Sequence, residues 1–415
     1  MASMMRPTHD VLIAGGSFAG LALALALARA EGGGPDIALV ERTPLDPDAQ
    51  VATRDPRAFA LSSGTRRLLD AIGVWGAVEH HAQPVSVVDI TDSALTDAFR
   101  PILLSYETMA DGEPQMLILE ADRLRQALLR AVRSEPRIAV IAPTEVTGID
   151  ETAGGRAVML GEDEARRARL LVAADGAQSR IRSMAGIGVV GGSFHQRGIA
   201  AIVGHEREHE GHAVQHFLPA GPFALLPLNG RRSCITWSEG EARALEIMAL
   251  DDAAFLEEAQ QRAGWRLGAL TFDGTRASWP LGSHVARSLV AARLALIGDA
   301  VRSVHPIAGQ GVNLGFRDVA ALAETIVEGM RLGLDPGDAT LLTRYERWRR
   351  ADGVQSAAAF AALNALFAND STPVRMLRGA GLGVVDRWPG LKSVLVAEAA
   401  GATGDVPRLL QGLPL

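Results

Sequence analysis

The chain has 415 residues, with 41 Lys plus Arg, 48 Asp plus Glu, a formal net charge of -7 and 48% hydrophobic residues. These values are typical of a globular protein of two or three domains, and they exclude disordered, collagen-like and fibrous chains. The single cysteine, Cys234, excludes an internal disulfide and favours a reducing compartment. The charge gives no electrostatic reason to expect nucleic acid, so the expected partners are small molecules and other proteins.

An uncharged segment covers residues 11–28 and by length alone resembles a short membrane span or the apolar part of a signal peptide. Glycines and a serine divide it into a strand-like VLIA and a helical LALALALA. We therefore predict a βαβ unit, with a strand over residues 10–14, a turn over 15–20, a helix over 21–30 and a second strand in IALVE. No other stretch is long and apolar enough to span a bilayer, so we expect a soluble, cytoplasmic chain that is at most peripheral to a membrane.

The later segments alternate helical and strand patterns. Apolar residues have helical spacing over residues 62–72, over 120–133 and in a long segment that follows the strand LALIGDA. Residues 190–285 have the punctuated pattern of an antiparallel sheet. The fold class predicted is α/β with α+β insertions, in which a Rossmann-like domain is interleaved with an antiparallel-sheet domain and followed by a helical C-terminal region. The predicted boundaries are 1–75, 106–185 and 286–345 for the first domain, 76–105 and 186–285 for the second, and 346–415 for the helical region.

The first glycine turn lies where a dinucleotide-binding fingerprint requires it, between a strand and a helix. Gly15 permits the tight turn, Gly20 lets the helix pack against the strand, and the helix N-terminus offers N–H groups to a pyrophosphate. Ser17 replaces the usual middle glycine and narrows the approach of the backbone. Glu41 ends the next strand and is placed to accept hydrogen bonds from a ribose. An ordinary βα turn followed by a surface glutamate is the alternative interpretation.

A second turn follows the strand LALI, in the sequence GDA and then HPIAGQGVN. Asp299 would point beyond the sheet edge at a hydroxyl-bearing ligand. Gly309 and Gly311 would let the backbone run close to a flat ligand, and the N-terminus of the next helix would stabilise negative charge on it. The alternative is a glycine-rich loop with Asn313 as a helix cap.

A third turn lies in AADGAQSRIR, where Asp175 and Gly176 follow a buried strand. Arg182 would pair with a phosphate or with Asp175, and a plain turn is an equally good interpretation.

The three turns together, in this order and spacing, resemble the FAD-dependent aromatic hydroxylases of the para-hydroxybenzoate hydroxylase fold. Within this family the chain most resembles the branch that hydroxylates the ring in ubiquinone biosynthesis. The similarity runs nearly end to end and includes DPRAFALSSGTRRLLDAIGVW, HFLPAGPFALLPL, WPLGSH and the closing AGATGDVPRLLQGLPL. It implies an enzyme that hydroxylates a hydrophobic aromatic substrate with FAD, O2 and NAD(P)H, the nucleotide visiting the flavin transiently because the chain has no second dinucleotide-binding unit.

The resemblance also implies roles for individual residues. Gly15, Ser17, Gly20 and Glu41 would hold the ADP half of FAD, with Arg42 near the adenosine and Arg57 near the pyrophosphate or the flavin. Asp175 belongs to a motif that serves both FAD and the pyridine nucleotide. Asp299 would bind the ribitol. Gly309, Gly311 and Asn313 would line the isoalloxazine, and Pro306 and Val312 are further expected cofactor contacts.

One departure from the family pattern is clear, because GDAAH in the family reads GDAVR here and places Arg302 where a histidine is usual. Flavin binding is not threatened by this change, but nucleotide preference, control of reduction or activity could be altered. The adjacent His305 is the candidate acid or base that would relay a proton from the ring hydroxyl, and a purely structural role is weighed equally.

The substrate ring needs a dry pocket, for which the strand FALLPL with Trp237 and Phe217 are candidates, although each aromatic ring alone is better explained as ordinary sheet core. Four histidines, at positions 205, 209, 212 and 216, have spacing suggestive of a metal site, but we predict none because the stricter ligand patterns are missing.

Three functions are carried forward from the sequence. The first is a ring hydroxylase of a prenylated precursor in ubiquinone biosynthesis, associated with a membrane surface or a biosynthetic complex. The second is a monooxygenase of a soluble aromatic or secondary metabolite. The third is a flavin-binding subunit of a complex without turnover. An apolar pocket open to an apolar surface would favour the first function over the second, and the sequence leaves the number of chains in the assembly open.

Overall fold

The structure is a computed structural model that describes residues 6–47, 55–92, 95, 100–110, 112–304, 311–350 and 405–415. The strands, in chain order, are β1 (Arg6–Ala14), β2 (Ile37–Val40), β3 (Ala58–Ser62), β4 (Gln83–Pro84), β5 (Val87–Asp92), β6 (Ile102–Glu107), β7 (Met109–Ala110), β8 (Glu113–Pro114), β9 (Met116–Glu120), β10 (Ile138–Ile141), β11 (Val146–Thr152), β12 (Gly155–Leu160), β13 (Glu164–Ala173), β14 (Val189–His205), β15 (His212–Leu218), β16 (Gly221–Leu228), β17 (Arg232–Gly240), β18 (Leu270–Ala286), β19 (Val290–Ala291), β20 (Leu294–Leu296) and β21 (Arg302–Ser303). The helices are α1 (Phe18–Ala28), α2 (Ser63–Ala71), α3 (Ala121–Arg133), α4 (Arg180–Met184), α5 (Glu241–Ala249), α6 (Asp252–Ala263) and α7 (Gly311–Arg331), and residues 339–350 are also helical.

The first sheet has the parallel order β10-β2-β1-β13, with β20 parallel to the end of β13 and β12 and β11 added in antiparallel pairing. This arrangement confirms the predicted Rossmann-like part of the fold. Because the strands are parallel, the turns that follow β1, β13 and β20 meet at one edge of the sheet. The three motif turns are therefore brought together by topology.

The uncharged segment of residues 11–28 is a core strand followed by a core helix. Helix α1 begins at Phe18, three residues earlier than predicted, and its residues from Gly20 onwards are buried. A helix that is apolar on every side must be covered on every side, and α1 packs against β2, α3 and α7. In the part of the chain that the structure describes, no helix combines the length and apolar character needed to cross a membrane.

The second sheet has the order β21-β18-β14-β17-β16-β15-β5-β6 and is antiparallel except between β15 and β5. It confirms the antiparallel sheet predicted for residues 190–285 and adds strands from near residue 100. Helices α5 and α6 cover one face of this sheet, where Phe255 lies fully buried. A small sheet of order β3-β9-β4 lies against part of the opposite face. The space on that opposite face is the cavity described below.

Candidate active site

The turn between β1 and α1 accepts only glycine at two positions. Gly15 has φ of +118°, and a Cβ atom there would lie 2.2 Å from the Ala174 carbonyl oxygen. A Cβ at Gly20 would lie 1.9 Å from the Gly15 carbonyl oxygen. Ser17 is the N-cap residue of α1 but makes no side-chain capping bond, so the N–H groups of the first helical turn stay available to a ligand.

Glu41 holds this turn from the end of β2. Its Oε2 accepts a hydrogen bond from the Gly16 N–H at 2.7 Å, and its Oε1 accepts from the Thr43 N–H and hydroxyl at 3.0 and 2.8 Å. A carboxylate offers about four acceptor positions, so one remains for a ribose hydroxyl. The neighbouring Arg42 is exposed at the same edge.

The turn after β20 presents Asp299 to the cavity. The Asp299 carbonyl oxygen lies 3.0 Å from Nε2 of His284, and the Ala300 carbonyl oxygen accepts a hydrogen bond of 2.8 Å from Nη1 of Arg182. The Asp299 side chain is exposed, but its accessible surface faces the cavity rather than open solvent. Desolvation by the surrounding walls therefore raises the pKa of this carboxyl, against the opposing effect of Arg57.

Asp175 has one carboxylate oxygen to spare for a ligand. Its Oδ2 accepts a hydrogen bond of 3.2 Å from the Ile181 N–H, whereas its buried Oδ1 has no hydrogen-bond partner among the residues described. The next two residues, Gly176 and Ala177, line the cavity. A buried carboxylate oxygen is costly to leave unpaired, so this position suits a donor from a bound molecule.

The residues predicted to contact the flavin at and before the beginning of α7 have three different outcomes. Gly311 and Val312 line the cavity. Asn313 is buried, and its amide instead binds the β3–α2 turn, accepting from the Ser62 N–H at 3.1 Å and the Thr65 hydroxyl at 2.8 Å. The remaining residues of this motif, His305, Pro306 and Gly309, lie outside the described residues.

Arg57 lies at the rim of the cavity in a salt bridge with Asp55, with Nη2 2.6 Å from Oδ2. Its guanidinium carbon is 5.8 Å from the ring centre of Phe59 and 5.7 Å from that of Trp279. Desolvation opposes the charge, but the hydrogen bond and charge of Asp55 outweigh it and raise the pKa of Arg57. The arginine is thus held as a permanent cation near Asp299.

The cavity has a volume of about 640 Å³ and separates the motif turns from the open face of the second sheet. Its wall on the motif side comes from the α1 turn, the Asp299 turn and the beginning of α7. Its other wall follows the sheet from β18 to β6, which is six strand spacings or about 29 Å.

We call the part of this cavity beside β5 and β6 the distal arm. Its lining side chains are mainly apolar, and they are Val88, Ile90, Leu104, Tyr106, Met116 and Ala213. The Tyr106 hydroxyl makes no hydrogen bond to another described residue, and desolvation raises its pKa. The distal arm therefore offers an apolar surface with a single neutral phenol as donor.

The two aromatic residues proposed for the ring pocket lie differently. Phe217 lines the cavity. Trp237 borders it, but its ring stacks on Phe255 of α6, with centroids 5.6 Å apart, so the residue belongs mainly to the core on the other face of the sheet. From the strand FALLPL, the alternate residues Ala224 and Leu226 line the cavity.

The four spaced histidines do not converge on one point. His205 contacts Ser233, His209 contacts the Leu228 carbonyl oxygen, and His216 contacts Thr91. Burial lowers the pKa of His216 to about 4, so this ring stays neutral. No group of three His, Cys, Asp or Glu side chains suited to a metal ion occurs in the described ranges.

Two residues of the site, Trp279 and Asp318, were not singled out individually from the sequence. Trp279 lies in the cavity because a glycine at position 198 leaves room for it, since a Cβ there would be 2.9 Å from the indole. Asp318 of α7 accepts a hydrogen bond of 3.1 Å from the Gly298 N–H that begins the Asp299 turn.

The arrangement fits FAD on three observations. Glycine turns bring backbone within contact distance at the cavity, a helix N-terminus is uncapped by any side chain, and a buried carboxylate oxygen lacks a partner. Close backbone and free N–H groups are what a pyrophosphate requires, and carboxylate acceptors are what the hydroxyl groups of a ribose or a ribityl chain require.

Comparison with known proteins agrees with this chemistry. The family described as "FAD binding domain" matches residues 8–360. The chain is 40% identical over 410 residues to the ubiquinone hydroxylase UbiL of Rhodospirillum rubrum, covering 98% of this chain and 93% of that protein. It is 32% identical over 403 residues to 3-demethoxyubiquinol 3-hydroxylase of Escherichia coli, covering 95% and 99%.

The fold is shared with p-nitrophenol 4-monooxygenase PnpA from Pseudomonas putida, with a TM-score of 0.77 at 18% identity over 96% of this chain and 100% of that one. Family match, identity and fold agree with the resemblance carried by the three motif turns. The chain therefore belongs to the FAD-dependent aromatic hydroxylases of the para-hydroxybenzoate hydroxylase fold, monooxygenases that use FAD with NAD(P)H as electron donor.

Proposed function

We propose that this enzyme hydroxylates the aromatic ring of a prenylated phenol or quinol intermediate of ubiquinone biosynthesis, with O2 as co-substrate. The names of its relatives from Rhodospirillum rubrum and Escherichia coli support this assignment. The observation that carries it is the distal arm, which continues the cavity away from the Asp299 turn along an apolar sheet face. A small soluble aromatic would not need such an arm.

The arm runs towards an exposed apolar side chain. Strand β6 contributes Leu104 and Tyr106 to the arm, and the same strand begins at Ile102, whose side chain is 52% exposed. An isoprenoid tail is stabilised by contact with such side chains, at about 25 cal/mol for each Å² of apolar surface removed from water. We therefore place the ring where the distal arm meets the rest of the cavity, within reach of Tyr106 and Gln215, and the tail along the apolar side chains of the arm.

For the cofactor, the proposed roles follow the geometry of the turns. Gly15, Ser17, Gly20, Glu41 and Arg42 would hold the ADP half of FAD. Arg57 would serve the pyrophosphate or the flavin, Asp175 the cofactor and the pyridine nucleotide, and Asp299 the ribitol. The proposed isoalloxazine contacts come from the beginning of α7 and the loop before it, as assigned from the sequence.

When bound, FAD supplies the activation of O2 and the transfer of one oxygen atom to the ring. The protein has to hold the ring still and keep water away from it. The apolar side chains of the cavity exclude water, and Gln215 and Tyr106 offer hydrogen bonds to ring oxygens from the sheet side. The proposal that His305 relays a proton concerns a residue outside the described ranges.

We also propose the domain division predicted from the sequence, with residues 1–75, 106–185 and 286–345 as the FAD-binding domain and residues 76–105 and 186–285 as the substrate domain. The separation of the strands into two large sheets supports this division, except that β21 pairs with β18 of the second sheet and β6 runs past residue 105. The helical region of residues 346–415 falls mostly outside the described residues.

A prenylated substrate resides in a lipid bilayer, so the enzyme is proposed to act on the cytoplasmic side of the inner membrane as a peripheral protein or as part of a biosynthetic complex. Sedimentation of the holoenzyme with vesicles of anionic and neutral lipid tests this part separately. Recovery of all the protein in the supernatant, with and without other quinone-biosynthesis proteins, would contradict it.

The function itself is tested by mass spectrometry of quinone intermediates in cells with and without the gene, followed by assays of the holoenzyme. We expect a prenylated precursor one hydroxyl short to accumulate and to be hydroxylated in vitro by the purified protein. An unchanged quinone profile in cells without a redundant hydroxylase would favour a soluble aromatic substrate. NAD(P)H oxidation that no aromatic compound stimulates would favour a flavin-binding subunit without turnover.

A further inference from the structure

Arg302 follows the Asp299 turn at the position where the family pattern has a histidine. It lies in β21, where Val285 of β18 is its antiparallel partner. Its side chain is only 2% exposed, so its charge must be compensated inside the protein.

The compensating group is Asp318 of α7, which is fully buried. Nη1 of Arg302 is 3.1 Å from both carboxylate oxygens, and Nη2 is 3.0 Å from Oδ1. Nε of Arg349 donates a further hydrogen bond of 2.9 Å to Oδ1. The fork of Arg302 thus fixes the plane of the carboxylate, while Arg349 supports it from the helical stretch of residues 339–350.

The oriented carboxylate has a second function. Oδ2 of Asp318 accepts the Gly298 N–H at 3.1 Å, at the residue that begins the Asp299 turn. Gly298 has φ of +61°, and a Cβ there would lie 3.2 Å from the Cβ of Ala19, next to the first glycine turn. The direction of the Asp299 side chain therefore depends on where Asp318 holds the Gly298 N–H.

We propose that Arg302 is a positioning residue for FAD binding, which acts by clamping Asp318 so that the Asp299 carboxylate is aimed into the cavity. A histidine would offer this carboxylate one N–H, whereas arginine offers two parallel ones. Arginine at this position therefore holds Asp318, and through it the Asp299 turn, more firmly than a histidine would.

The charge of Arg302 also acts on Asp299. Desolvation raises the pKa of Asp299, and the charge of Asp318 raises it further, while Arg57 and Arg302 lower it. Arg302 thereby also helps to keep Asp299 ionised, which is the form that accepts hydrogen bonds from hydroxyl groups.

A double-mutant cycle on FAD affinity tests the proposal without any substrate. Apoprotein is titrated with FAD, followed by flavin fluorescence, for the wild type, Arg302→Lys, Asp299→Asn and the double variant. Lysine keeps the charge but not the fork, so we expect FAD to bind about fivefold more weakly in Arg302→Lys. In the Asp299→Asn background the Arg302→Lys change should alter the dissociation constant less than about twofold, because the Asp299 carboxylate through which Arg302 acts is already absent.

The proposal would be overturned if Arg302→Lys weakened FAD binding equally in the wild-type and Asp299→Asn backgrounds, or weakened it in neither. If Arg302→Lys apoprotein does not fold, the cycle is run with Arg302→His, for which the same pattern is expected. Visible circular dichroism of bound flavin provides a second readout. We expect the spectrum of Arg302→Lys to differ from that of the wild type, and the spectrum of the double variant to match that of Asp299→Asn.

Arg262→Lys is the matched control. Arg262 is also buried, and it donates to Glu239 at 2.9 Å and to Glu258 at 2.6 Å, on the α6 side of the second sheet. We expect this variant to lose thermal stability as Arg302→Lys does, yet to bind FAD within about twofold of the wild type. If Arg262→Lys weakened FAD as much as Arg302→Lys, the effect would be one of general stability and the proposal would fail.

Discussion

The end of the cavity beside Asp299 is formed by backbone turns, whereas the distal arm is formed by side chains on a sheet face. At the first end, backbone atoms approach so closely that a Cβ at Gly15 or Gly20 would overlap a carbonyl oxygen. In the distal arm the contacts are made by side chains such as Leu104 and Met116, which other apolar residues could replace. The cofactor end should therefore respond to substitution by losing flavin, and the distal arm by changing its substrate preference.

The strongest test of this contrast is Gly20→Ala. The added methyl would lie 1.9 Å from the Gly15 carbonyl oxygen, and backbone on both sides cannot move without shifting β1 or α1. We expect the free energy of unfolding to fall by about 3 kcal/mol and the purified protein to carry little FAD. Urea unfolding and the flavin absorbance per chain measure both.

Gly76→Ala is its control, because a Cβ at Gly76 meets no atom within 4 Å. Its effect on stability should stay within about 0.5 kcal/mol, with normal flavin content. A Gly20→Ala protein that kept its stability and its flavin would show that the turn is less constrained than the geometry indicates.

Asp299→Asn should produce the next largest effect. The amide keeps the shape but loses the charge, so FAD should bind about tenfold more weakly, equivalent to about 1.4 kcal/mol. The exposed Asp150 of β11 gives the control Asp150→Asn, which should leave FAD affinity unchanged. Equilibrium titration of each apoprotein with FAD measures the two affinities. Equal affinities for the two variants would rule out Asp299 as a cofactor ligand.

The raised pKa of Asp299 also predicts two opposite pH trends. Because the folded apoprotein holds this proton more tightly than the unfolded chain does, the contribution of Asp299 to stability decreases as pH rises from its ordinary pKa through the raised one. FAD affinity should increase over the same window, since ionisation creates the acceptor. Chemical unfolding and FAD titration at several pH values measure both trends as the difference between the wild type and Asp299→Asn, because other carboxyl groups with a shifted pKa, such as Glu324 and Asp89, titrate in both proteins.

The cofactor end could be predicted from the sequence because its constraints are local. A glycine with φ of +118°, a strand before it and a helix after it leave few other residue types that fit. The same logic located Asp299 and the buried α1. It did not show that the Asn313 amide would bind the β3–α2 turn, because that contact joins residues about 250 positions apart.

The distal arm could not be predicted in the same way because it depends on strand pairing over long distances. Its wall forms where β15 pairs in parallel with β5, and no local pattern specifies that partner. The face of a strand that carries a side chain is likewise fixed only by its neighbours, as Phe217 and Trp237 show. Both are aromatic strand residues, yet helix α6 covers the face from which Trp237 projects.

Ala213→Leu tests the distal arm as a tail site. Ala213 lines the arm opposite Val88 of β5, and three added carbons would occupy space proposed for an isoprenoid tail. We expect KM for a prenylated phenol to rise about tenfold, while the tail-less phenol changes less than about twofold. Steady-state kinetics with both compounds measure the difference.

Ala201→Leu separates this effect from overpacking. Ala201 is fully buried in the core against α5 and α6 and does not line the cavity. It should lose about 1 to 3 kcal/mol of stability without discriminating between the two substrates. If Ala213→Leu affected the tailed and the tail-less compound equally, the tail would have to lie elsewhere.

Tyr106→Phe should have the smallest effect and resolves what the one phenol of the arm contributes. Desolvation raises the pKa of Tyr106, so its hydroxyl stays a neutral donor at physiological pH, and it makes no bond to another described residue. Loss of one substrate hydrogen bond should lower kcat/KM about fivefold, or about 1 kcal/mol, with more hydrogen peroxide released per NAD(P)H and an unchanged Tm. The other tyrosine, Tyr345, donates its hydroxyl to the Leu296 carbonyl oxygen at 2.7 Å, so Tyr345→Phe should lower Tm and leave the peroxide yield alone. Identical peroxide yields from the two variants would mean that the Tyr106 hydroxyl does not hold the ring.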